Sequence, residues 1–316
     1  MTRRRGVRVV HGGRLVTRAA ATAAALVMLL AGCGSAGGRD EGDRPVVLTT
    51  FTVLQDIAQN VAGEHLRVES ITKPGAEIHG YEPTPGDVAK ASEADLILDN
   101  GLHLEAWFGQ FVETADVPHA VVSDGVEALD IAGDAGTPNP HAWMSPEAAQ
   151  VYVDNMVTAF SELDPEHAED FAANAEGYSR QLQQIHDELV ETVGALPENE
   201  RALVTCEGAF SYLARDVGLE EHYIWPVNAE QQATPQQIAA VIETVDEQDI
   251  PAVFCESTVS DAPMQQVVEA TGARFGGTLY VDSLSQEGGP VPTYLDLLRH
   301  DADVIVEGLT GTEAAA

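Results

Sequence analysis

The chain has 316 residues, which suits two domains rather than one. Its hydrophobic content of 44% excludes a disordered chain. A formal net charge of −35, with Lys73 and Lys90 as the only lysines, excludes nucleic-acid binding, because phosphate contacts need clustered Lys and Arg.

The N-terminus reads as a secretion signal over residues 1–32. Arg3, Arg4, Arg5, Arg8, Arg14 and Arg18 make a basic start, and Ala19 to Ala31 is an apolar run broken only by Thr22. That run is too short to span a membrane. Leu30-Ala31-Gly32-Cys33 resembles the bacterial lipoprotein cleavage box, which makes Cys33 the expected lipidation site. An ordinary signal peptide with a chance cysteine is the alternative. Gly34 to Gly38 reads as part of a flexible tether over 33–44. Cleavage removes six arginines and no acid, leaving 16 − 6 = 10 basic residues against 51 acids. The acids are spread along the chain, so a solvated surface suited to salty surroundings explains them better than a cation-attracting field.

Val46-Val47-Leu48 reads as a short strand, 53–61 as a helix and 66–71 as a strand. A Pro/Gly loop over 73–81 carries His79. Thr84, Pro85 and Asp87 have the cap chemistry of a helix start. Leu96-Ile97-Leu98 is the third strand, 104–112 a helix and Ala120-Val121-Val122 the fourth strand. Residues 124–140 read as loop, ending at His141, and Ser145-Pro146 starts the next helix. From Pro165 to Val193, apolar positions at Phe171, Ala175, Tyr178, Leu182, Ile185, Leu189 and Val193 mark one face of a single long helix. Its length suits an interdomain spine.

A second strand–helix series follows. Ala202-Leu203-Val204 leads to Glu207, and a helix starts near Phe210. Residues 221–225 are a strand. Thr234-Pro235-Gln236-Gln237 caps a helix to about Gln248. Ala252-Val253-Phe254 leads to Cys255, 263–271 is helix, 278–281 leads to Asp282, and 293–300 is the last helix. Strands alternating with helices predict an α/β fold with a parallel sheet in each half.

Four metal-ligand types, His79, His141, Glu207 and Asp282, sit in four separated stretches, each read as a strand exit. Open parallel sheets bind their ligands at strand exits. Two neutral imidazoles and two carboxylates carry a formal charge of −2, which matches one divalent cation. Glu207 and Asp282 also suit helix N-termini, and those roles are compatible with ligation. His65, His119, His167, His186, His222 and His300 read as polar surface, and His103 as structural.

Several blocks, in order, resemble the metal-binding lipoproteins of bacterial ABC importers. They are Pro74-Gly75-Ala76-Glu77-Ile78-His79-Gly80-Tyr81-Glu82-Pro83-Thr84-Pro85, Asn100-Gly101-Leu102-His103-Leu104-Glu105, Pro140-His141-Ala142-Trp143, Glu207-Gly208-Ala209-Phe210-Ser211-Tyr212-Leu213 and Leu279-Tyr280-Val281-Asp282-Ser283-Leu284. The resemblance runs from about Val46 to Leu309. It implies two βα lobes joined by a spine helix, with His79, His141, Glu207 and Asp282 holding metal in the cleft. The lobes would be 45–163 and 197–312, with the spine at 164–196. It implies a monomer, lipid-anchored outside the cytoplasm at Cys33, that delivers its ion to an ABC permease and ATPase. Zinc-type members typically have histidine where Glu207 stands. A carboxylate shifts preference toward manganese, with zinc or iron(II) as alternatives.

A metallohydrolase is the main rival class, but the chain has no HExxH motif. A surface adhesin is a further rival. Cys206 and Cys255 are an even pair in an exported chain, which predicts a disulfide if their strands are neighbours. Two free thiols, or Cys206 as a soft extra ligand, are the alternatives.

Overall fold

The computed structural model describes residues 44–105, 117–227 and 233–311. The expected signal, the lipidation site at Cys33 and the tether up to Asp43 lie outside the described residues, as does the expected helix beyond Glu105. The N-terminal half contains β1 (Val46–Thr49), α1 (Thr52–Ala62), β2 (Arg67–Ser70), α2 (Pro85–Ser92), β3 (Leu96–Asp99) and β4 (His119–Val121). The four strands form one parallel sheet in the order β2-β1-β3-β4. Side chains alternate along β1, so Val47 joins the main core while Leu48 packs with Ile71, Ala91, Ala94 and Ile97 on the other face. A parallel sheet needs cover on both faces, and this alternation supplies it.

Helix α2 starts where the sequence places it. Thr84 accepts from the Asp87 N–H, the Asp87 carboxylate returns to the Thr84 N–H, and Pro85 fills the first turn.

The expected loop over 124–140 contains a hairpin, β5 (Asp130–Ile131) and β6 (Asp134–Pro138), paired antiparallel. Gly133, at φ +86°, lies in its turn, and Gly136, at φ +92°, sits within β6. These short, polar strands lack β-branched alternation. Their support comes from the other half, where the Tyr212 hydroxyl accepts from the Leu129 N–H and donates to the Asn139 carbonyl.

Ser145 caps α3 (Pro146–Leu163). The expected spine from Pro165 begins as a short 3-10 turn, Pro165–His167, because the His167 N–H bonds back three residues to the Asp164 carbonyl. Helix α4 (Ala168–Ala195) follows, with 28 residues. It spans about 42 Å at 1.5 Å per residue. All seven predicted apolar positions are buried. They pack against α1 and α3 of the first half and against helices of the second half.

The second half runs β7 (Ala202–Glu207), α5 (Ser211–Val217), β8 (Glu220–Trp225), α6 (Pro235–Glu247), β9 (Ala252–Glu256), α7 (Ala262–Thr271), β10 (Arg274–Leu279) and α8 (Tyr294–Thr310). Its strands pair in parallel as β7 with β8 and β9 with β10. The two pairs sit side by side at β7 and β9. Strand β10 ends before the expected strand at 278–281 does, so Asp282 lies on a loop three residues past it. Helix α8 runs ten residues beyond His300, because Ile305 and Leu309 continue its buried face and Gly311, at φ +68°, ends it. One continuous core joins the halves, running from Val47 and Leu54 through the spine to Leu203, Phe254 and Tyr294.

Candidate metal centre

Each of the four candidate ligands is held by backbone contacts that its sequence dictates. His79 sits on the loop between β2 and α2. The Glu77 carboxylate accepts from the N–H of His79 at 2.8 Å and of Gly80 at 3.1 Å, pinning the chain on both sides of the imidazole. Buried Ile78 anchors the same loop. His141 follows β6 and opens the 3-10 turn Ala142–Met144. Its Nδ1 lies 2.9 Å from Asn139 Oδ1, which also accepts from its backbone N–H at 3.0 Å.

Glu207 is the last residue of β7, and its N–H donates to Glu256 Oε2 at 3.2 Å. The following Gly208 must stay bare, because a Cβ there would lie 2.7 Å from the Tyr223 ring. Asp282 sits on a loop tied to the first half. Trp143 Nε1–H donates to the Val281 carbonyl at 3.0 Å, and the Leu284 N–H donates to Thr52 Oγ1 at 3.0 Å. Thr258 donates to Asp282 Oδ2 at 3.4 Å.

These four side chains converge. His79 Nε2 lies 3.0 Å from His141 Nε2, 3.6 Å from Glu207 Oε1 and 3.8 Å from Asp282 Oδ1. His141 Nε2 lies 3.7 Å from the same Asp282 oxygen. The His79 side chain is 3% exposed and the other three are 0% exposed, so bulk water does not screen their charges. Burial, and then the neighbouring His79, push His141 well below the usual imidazole range. His141 is therefore neutral at pH 7, as a metal ligand must be. Burial pushes Asp282 up to about 6, opposed by His79 and reinforced by Glu77. Its Oδ1 accepts no hydrogen bond among the described residues, although it faces both imidazoles.

Sequence reasoning missed four supporting residues. Glu77 and Asn139 stand two residues before the two histidines, the spacing of a side chain that bonds the backbone just ahead of it. Thr258 had no signal. Glu256 directly follows Cys255, where the reading of the strand stopped. It is buried, and burial pushes it up to about 8, so it is protonated at pH 7 and adds no third negative charge to the cluster.

His103 is exposed on a left-handed turn, at φ +64°, outside the cluster. His65 and His167 are more ordered than polar surface implies. Their rings stack at 3.9 Å, with Asp170 and Asp164 as respective partners.

Cys206 and Cys255 are joined in a disulfide, with Cα atoms 4.9 Å apart across β7 and β9. Neither sulfur is free to ligate a metal, which removes the soft-ligand alternative. The bridge staples the two strand ends that carry Glu207 and Glu256. In the chain-entropy picture a bridge across a sequence separation of 49 residues stabilises by about 4 kcal/mol. The Cys206→Ser/Cys255→Ser double variant should lose stability of that order in urea and bind manganese more weakly. Parent-like binding after complete reduction, with thiols counted in denaturant, would show that the bridge does not hold Glu207.

Residues 47–308 match the family described as zinc-uptake complex component A, periplasmic (ZnuA). The iron-binding protein YfeA of Yersinia pestis is 54% identical over 265 residues, spanning 83% of this chain and 85% of that protein. The manganese-binding lipoprotein MntA of Halalkalibacterium halodurans is 36% identical over 288 residues, spanning 90% and 96%. The Mn-bound periplasmic metal binding protein from candidatus Liberibacter asiaticus superposes with a TM-score of 0.80 at 38% identity, covering 84% of this chain and 100% of that one. The chain thus belongs to the ZnuA family, the metal-binding substrate-binding proteins of ABC importers.

Proposed function

We propose that this protein captures one divalent ion, manganese by preference, at His79, His141, Glu207 and Asp282. The observation that carries the reading is the convergence of two imidazoles and two carboxylates, all but fully buried, one pair from each half. Burying two carboxylates side by side is costly, and a divalent cation offsets their charge. Carboxylate oxygen at Glu207 favours a hard ion such as manganese, although the intrinsic affinity order places zinc above it. Iron(II) is the second reading, supported by the 54% identity to a protein named for iron binding.

The ion is cargo rather than a catalyst. Catalytic zinc sites ordinarily use three protein ligands and keep the fourth position for water, so four protein ligands argue for capture rather than a metallohydrolase. The acceptor would be an ABC permease with its ATPase. We infer lobes at 45–163 and 197–312 around a spine at 164–196, a signal at 1–32 and a lipid anchor at Cys33. A monomer tethered outside the cytoplasm suits a protein that hands its cargo to a membrane partner.

Metal analysis after mild purification, followed by competition among manganese, zinc and iron(II), tests the proposal. One tightly held ion per chain is expected, with zinc competing effectively in vitro. A protein that retains no divalent ion and binds none with micromolar affinity would sink it.

A further inference from the structure

We propose that Asn139 is a positioning residue, which fixes the tautomer of His141 and couples it to the strand end carrying Glu207. The inference rests on the metal-site reading above. Asn139 is 2% exposed and both ends of its amide are used. Oδ1 accepts from the His141 backbone N–H at 3.0 Å and lies 2.9 Å from His141 Nδ1. Nδ2 donates to the Gly208 carbonyl at 2.7 Å and to Ser211 Oγ at 3.2 Å.

An amide's two ends are ordinarily hard to tell apart, and so is a histidine's tautomer. Here chemistry decides both. A backbone N–H only donates and a backbone carbonyl only accepts. Oδ1 must therefore face His141, and Nδ2 must face Gly208. His141 Nδ1 then has an acceptor as its neighbour and must carry the proton. That leaves the Nε2 lone pair pointing at His79 Nε2, 3.0 Å away, and toward the Asp282 carboxylate. The imidazole is thus set with its ligating atom bare before an ion arrives. A free imidazole divides between two tautomers, and the Nε2–H tautomer cannot ligate through Nε2, the nitrogen that faces the site.

The same amide reaches across the halves. Gly208 directly follows Glu207, and Ser211 is the first residue of α5. The Asn139 carbonyl also accepts from the Tyr212 hydroxyl at 2.7 Å. A shift of the Glu207 strand end therefore pulls on the group that orients His141. Aspartate would keep the acceptor toward His141, but it would set a carboxylate oxygen against the Gly208 carbonyl. Asparagine alone satisfies both sides.

The test uses metal-free, 15N-labelled protein, with imidazole nitrogens read by long-range proton–nitrogen spectra and manganese affinity read by chelator competition. The His141 signal is assigned by its loss in His141→Ala. The parent should show the Nδ1–H tautomer. Asn139→Leu should populate both tautomers and lower manganese affinity about 10–100-fold, the range for lost outer partners of a ligating histidine. Asn139→Asp should keep the Nδ1–H tautomer yet still bind more weakly than the parent, because the tie to Gly208 is gone. An Nε2–H tautomer in the parent, or in Asn139→Asp, overturns the tautomer assignment. Parent-like affinity in Asn139→Asp overturns the coupling, and that variant decides both points if Asn139→Leu does not fold. Undiminished manganese binding in His141→Ala would instead sink the metal-site reading, while the metal-free spectra still judge the tautomer.

Discussion

Asp282→Ala should lower manganese affinity by more than about 100-fold, beyond the 10–100-fold range of substitutions outside the ligand set. Asp282 is fully buried, and its Oδ1 lies 3.8 and 3.7 Å from the two imidazole nitrogens. Alanine halves the formal charge that balances the ion and removes a group able to bind through both oxygens. Metal-free stability should move the other way. Burial raises the Asp282 pKa from its ordinary value to about 6. At pH 7 both the folded and the unfolded chain are ionised, but the folded chain holds that charge against desolvation. Asp282→Asn keeps the shape and removes the charge, so the metal-free variant should be more stable than the parent at pH 7. The difference should shrink as pH falls through about 6, where the folded parent takes up its proton. Calorimetric titration with manganese and melting with and without metal separate the two effects. Parent-like manganese affinity in Asp282→Ala would place the site elsewhere. A metal-free Asp282→Asn less stable than the parent at pH 7 would contradict the desolvation account.

Trp143→Ala should lower stability by about 3–5 kcal/mol, the range for deleting a large buried ring. That is a large share of the 5–15 kcal/mol that typically holds a domain folded. The ring is fully buried, 4.9 Å from Phe51 and 5.0 Å from His141 between centroids. Its indole N–H donates to the Val281 carbonyl at 3.0 Å, and its own carbonyl accepts from the Tyr294 hydroxyl. Removing it leaves a cavity, an orphaned carbonyl beside Asp282 and a loosened His141. Trp143→Phe should keep most of the packing while losing the hydrogen bond, at a cost of about 1–3 kcal/mol for the stranded carbonyl. Urea unfolding measures both. A loss below about 1 kcal/mol in Trp143→Ala would mean that the interior refills the space left by the ring.

The parts legible in the sequence are those governed by one strong local rule. The seven apolar positions of α4 repeat at helical spacing, and all seven are buried. Thr84 and Thr234 show their capping boxes three residues ahead of Asp87 and Gln237. The four candidate ligands stood out because the blocks that carry them resemble, in order, the metal-binding lipoproteins of ABC importers, which their spacing alone would not have shown. The hairpin over 130–138 was not visible, because its stability comes from Tyr212, which is distant in sequence. Asn139 looked like an ordinary loop residue beside Pro140. Its role appears only when Gly208, 69 residues away, is brought to 2.7 Å. Glu256 was hidden for a different reason. A carboxylate at the end of an apolar strand reads as the first solvated residue, and only the fold shows that it is enclosed. Long-range partners, rather than local pattern, decide these positions.

The near-complete enclosure of His79, His141, Glu207 and Asp282 makes traffic through this pocket a gating problem. If these residues hold the ion as proposed, it would reach them only in the fraction of molecules in which the enclosing contacts have opened, and the apparent dissociation constant would rise in inverse proportion to that fraction. Opening is opposed by contacts such as Gly75 N–H to Ser283 Oγ at 2.7 Å and Tyr294 N–H to Asp56 Oδ2 at 3.0 Å, which lie outside the ligand set. Dwell time and capture rate can therefore be tuned at these latches without altering any atom that touches the cargo. By reciprocity, a membrane partner that binds the parted form more tightly lowers affinity for the ion by the same factor. On the proposed role in import, unloading would then need no separate chemical step, because docking itself would weaken the grip.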